Sequence, residues 1–233
     1  MPPTDERREL EFTVGDAAHD RVSALLVRPA EARWLLVLGH GAGTGMRHRF
    51  LEAAAERLAA RRVATLRYQF PYMEAGRGRP DRRPVLLATV RAAVALGRQV
   101  AGSLPLFAGG KSMGGRMTSQ AAAEEALGGV RGLVFMGFPL HPAGSPGVER
   151  AEHLCEVGVP MLFLQGTRDA LAGLDLLRPV LDELGDRATL HVEEGADHGF
   201  HVLKRSGRDD DEVLDALADA TAAWMDEVVP AEP

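Results

Sequence analysis

The sequence predicts an α/β fold with a mostly parallel sheet and helices on both faces. Short apolar runs alternate with longer segments of helical periodicity along most of the 233 residues, which is the pattern of strand–helix–strand units. The run at residues 34–38 is apolar throughout, as expected for a strand covered on both faces. With 45% hydrophobic residues, a chain of this length can bury one core, so we expect a single domain over residues 1–233.

Eight short runs are predicted as strands, which gives a sheet of about seven to eight strands. The first two are β-prone, lie on either side of the polar stretch 15–20, and predict an edge hairpin. The later runs are apolar and end in loops rich in glycine, proline or polar residues. The predicted strands lie at residues 11–14, 22–27, 34–38, 63–67, 104–108, 132–138, 160–165 and 189–192.

Six segments between these strands are predicted as helices. Apolar residues recur on one face of the first, Pro84 suits the first position of the second, and acidic residues open the last. The predicted helices lie at residues 50–61, 84–100, 113–127, 148–156, 174–184 and 210–228. Residues 138–160 have room for only one short helix, so we expect no large lid domain and an open, shallow pocket.

Composition excludes several classes of function. A net charge of −6 is not that of a typical nucleic-acid-binding protein. Cys155 is the only cysteine, so neither an intrachain disulfide nor a cysteine-based zinc site is expected, and a reducing cytoplasm fits. The first ten residues lack the apolar core of a signal peptide, and no apolar run was expected to reach membrane-spanning length. We therefore expect a cytoplasmic protein that binds neither nucleic acid nor membrane.

The most informative motif is a serine at a strand-to-helix corner. Gly110, Ser112 and Gly114 match G-x-S-x-G, the nucleophile-elbow pattern, and an apolar run precedes them while a helical segment follows. The glycines are needed because the turn is too sharp for neighbouring side chains. The pattern predicts Ser112 as a nucleophile at the start of a helix, where unpaired backbone N–H groups favour negative charge.

A serine hydroxyl needs a base, and His198 in the loop after the last predicted strand is the best candidate. Asp169, after the penultimate strand, is the expected carboxylate partner, and the order Ser, Asp, His is that of α/β-hydrolases. Asp169 is alternatively a helix N-cap. The rival acids are Asp175 and Asp197, and the rival base is His201, which is alternatively a polar surface group.

Two backbone N–H groups are expected to form an oxyanion hole. The first is that of Met113, directly after the serine, and the second that of Ala42 in the early His-Gly-Ala-Gly loop. His40 is expected to shape this loop rather than act as a base. Lys111, beside the serine, either steers anions or is solvated or ion-paired.

Three polar side chains are candidates for substrate binding. Tyr72 and Arg77 follow a predicted strand, and Arg116 lies one helical turn beyond Ser112. A guanidinium at either arginine position suits a substrate carboxylate or phosphate. The alternative is an internal pair between Glu74 and an arginine that rigidifies the loop.

The blocks Phe70–Arg77, Gly110–Arg116, Pro139–Pro142 and Leu164–Asp169 carry a further resemblance. Over residues 35–206 the chain resembles the small α/β-hydrolase-like family of testis-expressed protein 30 and the hydrolase-like part of a KAT8 chromatin-complex regulatory subunit. It is similar more distantly to dienelactone hydrolases. The resemblance implies a single-domain α/β-hydrolase fold. Dienelactone hydrolases use a cysteine nucleophile where this chain has Ser112, so their substrate class is not inherited.

Together these observations predict a serine hydrolase that cleaves a carboxylic ester or thioester of a small acyl group through an acyl-enzyme. Ser112, Asp169 and His198 are the predicted catalytic residues, and neither a metal nor an organic cofactor is expected. A non-catalytic α/β-hydrolase-like interaction module is the alternative of another class. A peptidase or acyltransferase with the same three residues is the alternative among enzymes.

Overall fold

The computed structural model describes residues 5–15 and 21–229. Eight strands in these residues form one sheet in the order β1-β2-β4-β3-β5-β6-β7-β8. The pairs β1–β2 and β2–β4 are antiparallel, and every pair from β4 to β8 is parallel. The strands are β1 Glu6–Thr13, β2 Arg21–Arg28, β3 Trp34–Gly39, β4 Val63–Tyr68, β5 Leu106–Lys111, β6 Val130–Met136, β7 Met161–Gly166 and β8 Ala188–Glu193.

Helices cover both faces of the sheet, as the alternation of elements requires. Two helices, α1 and α6, pack on one face in a core that includes Leu36, Phe107 and Trp224. Three others, α3, α4 and α5, cover the opposite face around Phe135 and Phe163. The helices are α1 Arg49–Ala60, α2 Pro71–Glu74, α3 Arg83–Ala101, α4 Met113–Glu124, α5 Leu174–Leu184 and α6 Asp210–Val228.

The predicted fold class is confirmed: the chain forms a mostly parallel α/β sheet, and the connection from β6 to β7 holds only a 3₁₀ turn at Glu152–Glu156 among the described residues. Some boundaries differ. Strand β1 begins at Glu6 because it pairs with β2 along its whole length, from Glu6 opposite Arg28 to Thr13 opposite Arg21. The short helix α2 lies where irregular structure was expected, since Pro71 fits its first position.

Two further expectations concern the connection between the first two strands and the membrane-spanning potential of helix α3. Apart from Gly15, the polar connection expected between the first two strands lies outside the described residues. By length and composition, helix α3 is long and apolar enough to cross a membrane. This was not expected from the sequence, because arginines interrupt its apolar run. Leu87, Val90 and Val94 on this helix are buried in the core, which is the arrangement of a core helix packed on a sheet.

Candidate active site

Ser112 occupies a sharp turn between β5 and α4. Its backbone has φ 50° and ψ −113°, a conformation that residues with a Cβ rarely adopt. The turn packs against the end of β3: a Cβ added to Gly114 would lie 2.2 Å from the Gly39 carbonyl oxygen, and one added to Gly110 would lie 2.3 Å from the same oxygen. Side chains at either glycine position would therefore force α4 away from the sheet.

A continuous chain of hydrogen bonds joins three of the predicted residues. The Ser112 Oγ lies 2.9 Å from His198 Nε2, and His198 Nδ1 lies 2.7 Å from Asp169 Oδ2. Because the carboxylate accepts the Nδ1 hydrogen, Nε2 is left to accept the hydrogen of the hydroxyl. The three residues follow β5, β8 and β7, whose carboxyl ends share one edge of the parallel sheet.

The Asp169 carboxylate is held as an anion although its side chain is fully buried. Its Oδ2 also accepts from the Gln165 side-chain amide at 2.5 Å, and its Oδ1 accepts from the Leu171 backbone N–H at 2.8 Å. Burial favours the neutral acid, but hydrogen bonds from His198 and Leu171 and the charge of Lys111 hold the pKa of Asp169 below its ordinary value. A buried carboxylate in this setting can stabilise an imidazolium.

The alternative acids, Asp175 and Asp197, and the alternative base, His201, make other contacts or lie on another element. Asp175 belongs to the first turn of α5. Asp197 accepts from the backbone N–H groups of Gly199 and His201, so it organises the loop that carries His198. His201 is bonded through Nδ1 to Asp210 at 2.6 Å.

The two predicted oxyanion donors lie on different loops next to the serine. Met113 directly follows Ser112 as the first residue of α4, and Ala42 lines the cavity beside Ser112. Within the described part of the chain, neither backbone N–H has a backbone hydrogen-bond acceptor. Their assignment as an oxyanion hole stays a prediction.

The loop that carries Ala42 is fixed from behind by two buried rings. His40 accepts the Phe70 backbone N–H at Nε2, 3.1 Å away, and bonds the Gly41 carbonyl oxygen through Nδ1 at 2.8 Å. Burial lowers the pKa of His40 to about 4, so this imidazole is neutral. The Tyr72 hydroxyl accepts from the Gly43 N–H at 3.3 Å.

The candidates for substrate binding do not line the cavity beside the serine. Tyr72, Arg77 and Arg116 are all outside the cavity that contains Ser112, so their assignment stays a prediction. Arg77 is exposed and pairs with Asp81 at 2.8 Å rather than with Glu74. Burial, with Arg150 and Arg83 nearby, lowers the pKa of Arg116 to about 10.

A cavity of about 590 Å³ opens beside Ser112, between the N-terminal ends of α1 and α6. Its walls are mainly apolar, and the Phe50 and Phe200 rings stack there with centroids 5.7 Å apart. This volume is within the range of pockets that enclose a drug-sized ligand. The apolar lining consists of Ala42, Phe50, Leu51, Ala53, Leu171, Phe200 and Leu214.

Three contributors to this site were not identified from the sequence. Gln165 was quoted only within a motif, although a polar residue in an otherwise apolar strand is a signal in itself. The stacking of Phe50 on Phe200 joins residues 150 positions apart, and no local pattern reveals it. Lys111 donates to the His198 carbonyl oxygen at 2.5 Å, a contact that was likewise not anticipated.

A second serine–histidine contact has a different character. Ser119 Oγ lies 2.7 Å from His153 Nε2, but this hydroxyl is buried and donates to the Arg116 carbonyl oxygen at 2.9 Å. Burial, with Arg116 and Arg83 nearby, lowers the pKa of His153 to about 4. Among the described residues, no carboxylate bonds to His153, so this pair lacks the third member that Asp169 supplies to His198.

A family model described as an alpha/beta hydrolase domain matches residues 32–226, most of the chain. The chain belongs to the alpha/beta hydrolase family. The site described above therefore occupies the edge of the sheet where a member of this family is expected to carry its chemistry.

Solved structures resemble this alpha/beta hydrolase over nearly its whole length. An α/β serine hydrolase without a lid from Xanthomonas campestris superposes with a TM-score of 0.74 at 21% identity, covering 98% of this chain and 97% of that one. A dienelactone hydrolase from Anabaena variabilis gives 0.68 at 21%, covering 96% and 98%. Est1E from Butyrivibrio proteoclasticus gives 0.70 at 17%, covering 96% and 99%. At these identities the likeness establishes the fold.

Proposed function

We propose that this alpha/beta hydrolase is a serine hydrolase that cleaves a carboxylic ester or thioester through an acyl-enzyme. The observation that carries the proposal is the chain from Ser112 through His198 to Asp169, with its hydroxyl end beside an apolar cavity. The solved structures described as esterases, and the one of Est1E with ferulic acid bound, support an ester as substrate. A small-molecule substrate and a cytoplasmic location belong to the same proposal.

The reaction follows from the positions of the groups. The Ser112 oxygen forms a bond to the carbonyl carbon while its proton passes to His198 Nε2, and the Met113 and Ala42 N–H groups bind the resulting oxyanion. The tetrahedral intermediate collapses by expelling the alcohol or thiol, which takes the proton from His198. A water molecule then attacks the acyl carbon, His198 accepts its proton, and the acid product leaves as Ser112 regains a hydrogen. Throughout, Asp169 stabilises the imidazolium.

The test is intact-protein mass after treatment with a small fluorophosphonate. We expect one adduct on the parent protein, none on Ser112→Ala and one on Ser119→Ala, because Ser119 is buried and lacks an activated base. No adduct on the parent at neutral or mildly alkaline pH would contradict the proposal and favour the interaction module. An adduct on the parent with hydrolysis of amides alone would identify a peptidase, and acyl transfer to an added amine or alcohol would identify an acyltransferase.

The cavity predicts a preference for an apolar group larger than the small acyl group expected from the sequence. Its volume of about 590 Å³ and apolar walls accommodate several methylenes, each of which gains about 0.8 kcal/mol on burial. In a series of straight-chain acyl esters, kcat/KM should rise from acetate by up to about fourfold per methylene until the cavity is filled. Ala53→Phe, which narrows the cavity, should lower the rate with long chains and spare acetate. A series in which acetate is the best substrate would contradict this prediction.

A further inference from the structure

Lys111 joins the strand of the serine to the loop of the histidine. It is the last residue of β5, directly before Ser112, and its ammonium donates to the backbone carbonyl oxygen of His198 at 2.5 Å. The two residues are 87 positions apart in sequence. One side chain thus spans the two elements whose separation sets the distance from hydroxyl to imidazole.

Two aromatic rings and a glycine lie next to the Lys111 ammonium. Its Nζ lies 5.7 Å from the centre of the Phe50 ring and 5.3 Å from that of Phe200, within the range of cation–π attraction. On the β6 side, Gly137 leaves the necessary space: a Cβ there would lie 2.9 Å from Nζ and 3.4 Å from His198 Cε1. A carbonyl, two rings and a glycine therefore contact the half-buried Lys111 on the side away from solvent, while the residue also lines the cavity beside Ser112.

We propose that Lys111 is a positioning residue that holds the His198 loop against the nucleophile strand, and that it holds the loop most firmly while its side chain is charged. The inference rests on the proposed function, because its effect on the reaction passes through His198 and Ser112. It assigns no contact between Lys111 and substrate.

The charge of this side chain is sensitive to mildly alkaline pH. Burial lowers the pKa of Lys111 to about 8, and the negative charges of Asp169 and Asp197 offset that burial only in part. Above this pH the ammonium loses its proton, and the hydrogen bond to the His198 carbonyl oxygen is weaker because it is no longer charge-assisted. Activity that depends on the bond should then decline as pH rises past about 8.

The other groups that face Lys111 are few. Phe50 on α1 and Gly137 after β6 carry no charge, and the titratable neighbours are Asp169 after β7 with Asp197 and His198 after β8. Further titratable residues line the same cavity. They are His48, Arg49, His201, Asp210 and Asp211.

The first experiment compares the pH profiles of kcat and KM for the parent, Lys111→Met, Lys111→Arg and Lys204→Met. Lys204 is the only other lysine and is exposed, so its variant is the matched control and should resemble the parent. Methionine keeps an apolar stem beside the two stacked rings but removes the bond. We expect kcat to fall about 10- to 100-fold, the equivalent of one charge-assisted hydrogen bond, with KM within about twofold.

The shape of the profile distinguishes positioning from a general loss of structure. The decline above pH 8 should be present in the parent and in Lys204→Met, and absent from Lys111→Met. Lys111→Arg keeps its charge at high pH and should recover part of kcat without that decline. A Lys111→Met variant with the kcat and alkaline decline of the parent would overturn the proposal, as would a rise in KM alone, which would indicate substrate binding.

A second measurement does not depend on activity. Protein labelled with ¹³C at the lysine ε-carbon has only two lysine signals, and Lys204→Met assigns them. The Lys111 signal should titrate near pH 8, below the ordinary lysine value. Titration of the Lys111 signal at the ordinary lysine value would overturn the charge dependence that the proposal predicts, even if Lys111→Met fails to fold. Should the parent form no fluorophosphonate adduct while Lys111 titrates near 8, the proposed function fails and the contact itself stands.

Discussion

Asp169 is charged inside the protein, and the chemistry of the site depends on that charge. Its two oxygens accept three hydrogen bonds, from His198, Gln165 and Leu171, and together these compensate for the loss of water around the carboxylate. Each donor also fixes the orientation of the Asp169 carboxylate. The imidazole is consequently held in the one tautomer that leaves Nε2 free to accept the Ser112 hydrogen.

Replacing Asp169 with asparagine tests this dependence. Asp169→Asn preserves the size of the side chain but removes its charge and presents an amide to His198, which favours the wrong tautomer. We expect kcat for ester hydrolysis to fall on the order of 10³- to 10⁴-fold at neutral pH, as for comparable triads. Asp175→Asn, in the first turn of α5, is the matched control and should retain the parent rate. Equal rates for the parent and Asp169→Asn would exclude the proposed role.

At the scale of elements, the position of the serine depends on how closely α4 approaches β3. The approach is possible because Gly114 presents no side chain to Gly39. In Gly114→Ala the added carbon would meet backbone atoms, which cannot rotate away, so the free energy of unfolding should fall by about 3 kcal/mol or more. Gly78→Ala, whose Cβ would meet nothing within 4 Å, should leave it nearly unchanged. Denaturant unfolding of both variants checks the difference.

Much of this arrangement could be predicted from local sequence. Strands that are apolar from end to end, such as residues 34–38, indicate burial on both faces. The glycines around Ser112 indicate a sharp turn. The rest depends on contacts between distant residues. The bond from Lys111 to His198 and the Tyr72 hydroxyl behind the Ala42 loop arise only when the sheet brings separate loops together. No pattern within one segment specifies them.

The domain limits and the finer family assignment are also beyond what local sequence patterns establish. The alpha/beta hydrolase family follows from residues 32–226, but the resemblance to the family of testis-expressed protein 30 stays a prediction. So does a single domain spanning residues 1–233. Volume is also a property of the whole molecule, because the cavity lies between residues of α1 and α6, which are far apart in sequence.

For the molecule as a whole, His40 makes stability depend on pH. Its pKa is about 4 in the folded protein against 6.5 when unfolded, so the unfolded chain binds more protons between these values. Its contribution is fully present above pH 6.5 and is lost as pH falls towards 4, by roughly 3 kcal/mol in total. Urea unfolding at intervals from pH 7 to 4 should show this decline. His153, whose pKa is also about 4, adds a decline over the same range, so His40→Gln should decline less steeply than the parent. His48→Gln, at an exposed position, should decline as the parent does, and a flat profile for the parent would contradict the prediction.

The backbone of Ser112 has an implication for how such a protein evolves. A residue with a Cβ at φ 50° carries strain of about 1 to 3 kcal/mol, which glycine would relieve. Ser112→Gly should therefore raise the melting temperature in a thermal scan while abolishing hydrolysis. Laboratory selection for survival of heat alone would favour that exchange and discard the hydroxyl. Only a screen that rewards turnover after heating would keep the serine, so thermal stability and the proposed activity make opposite demands on this position.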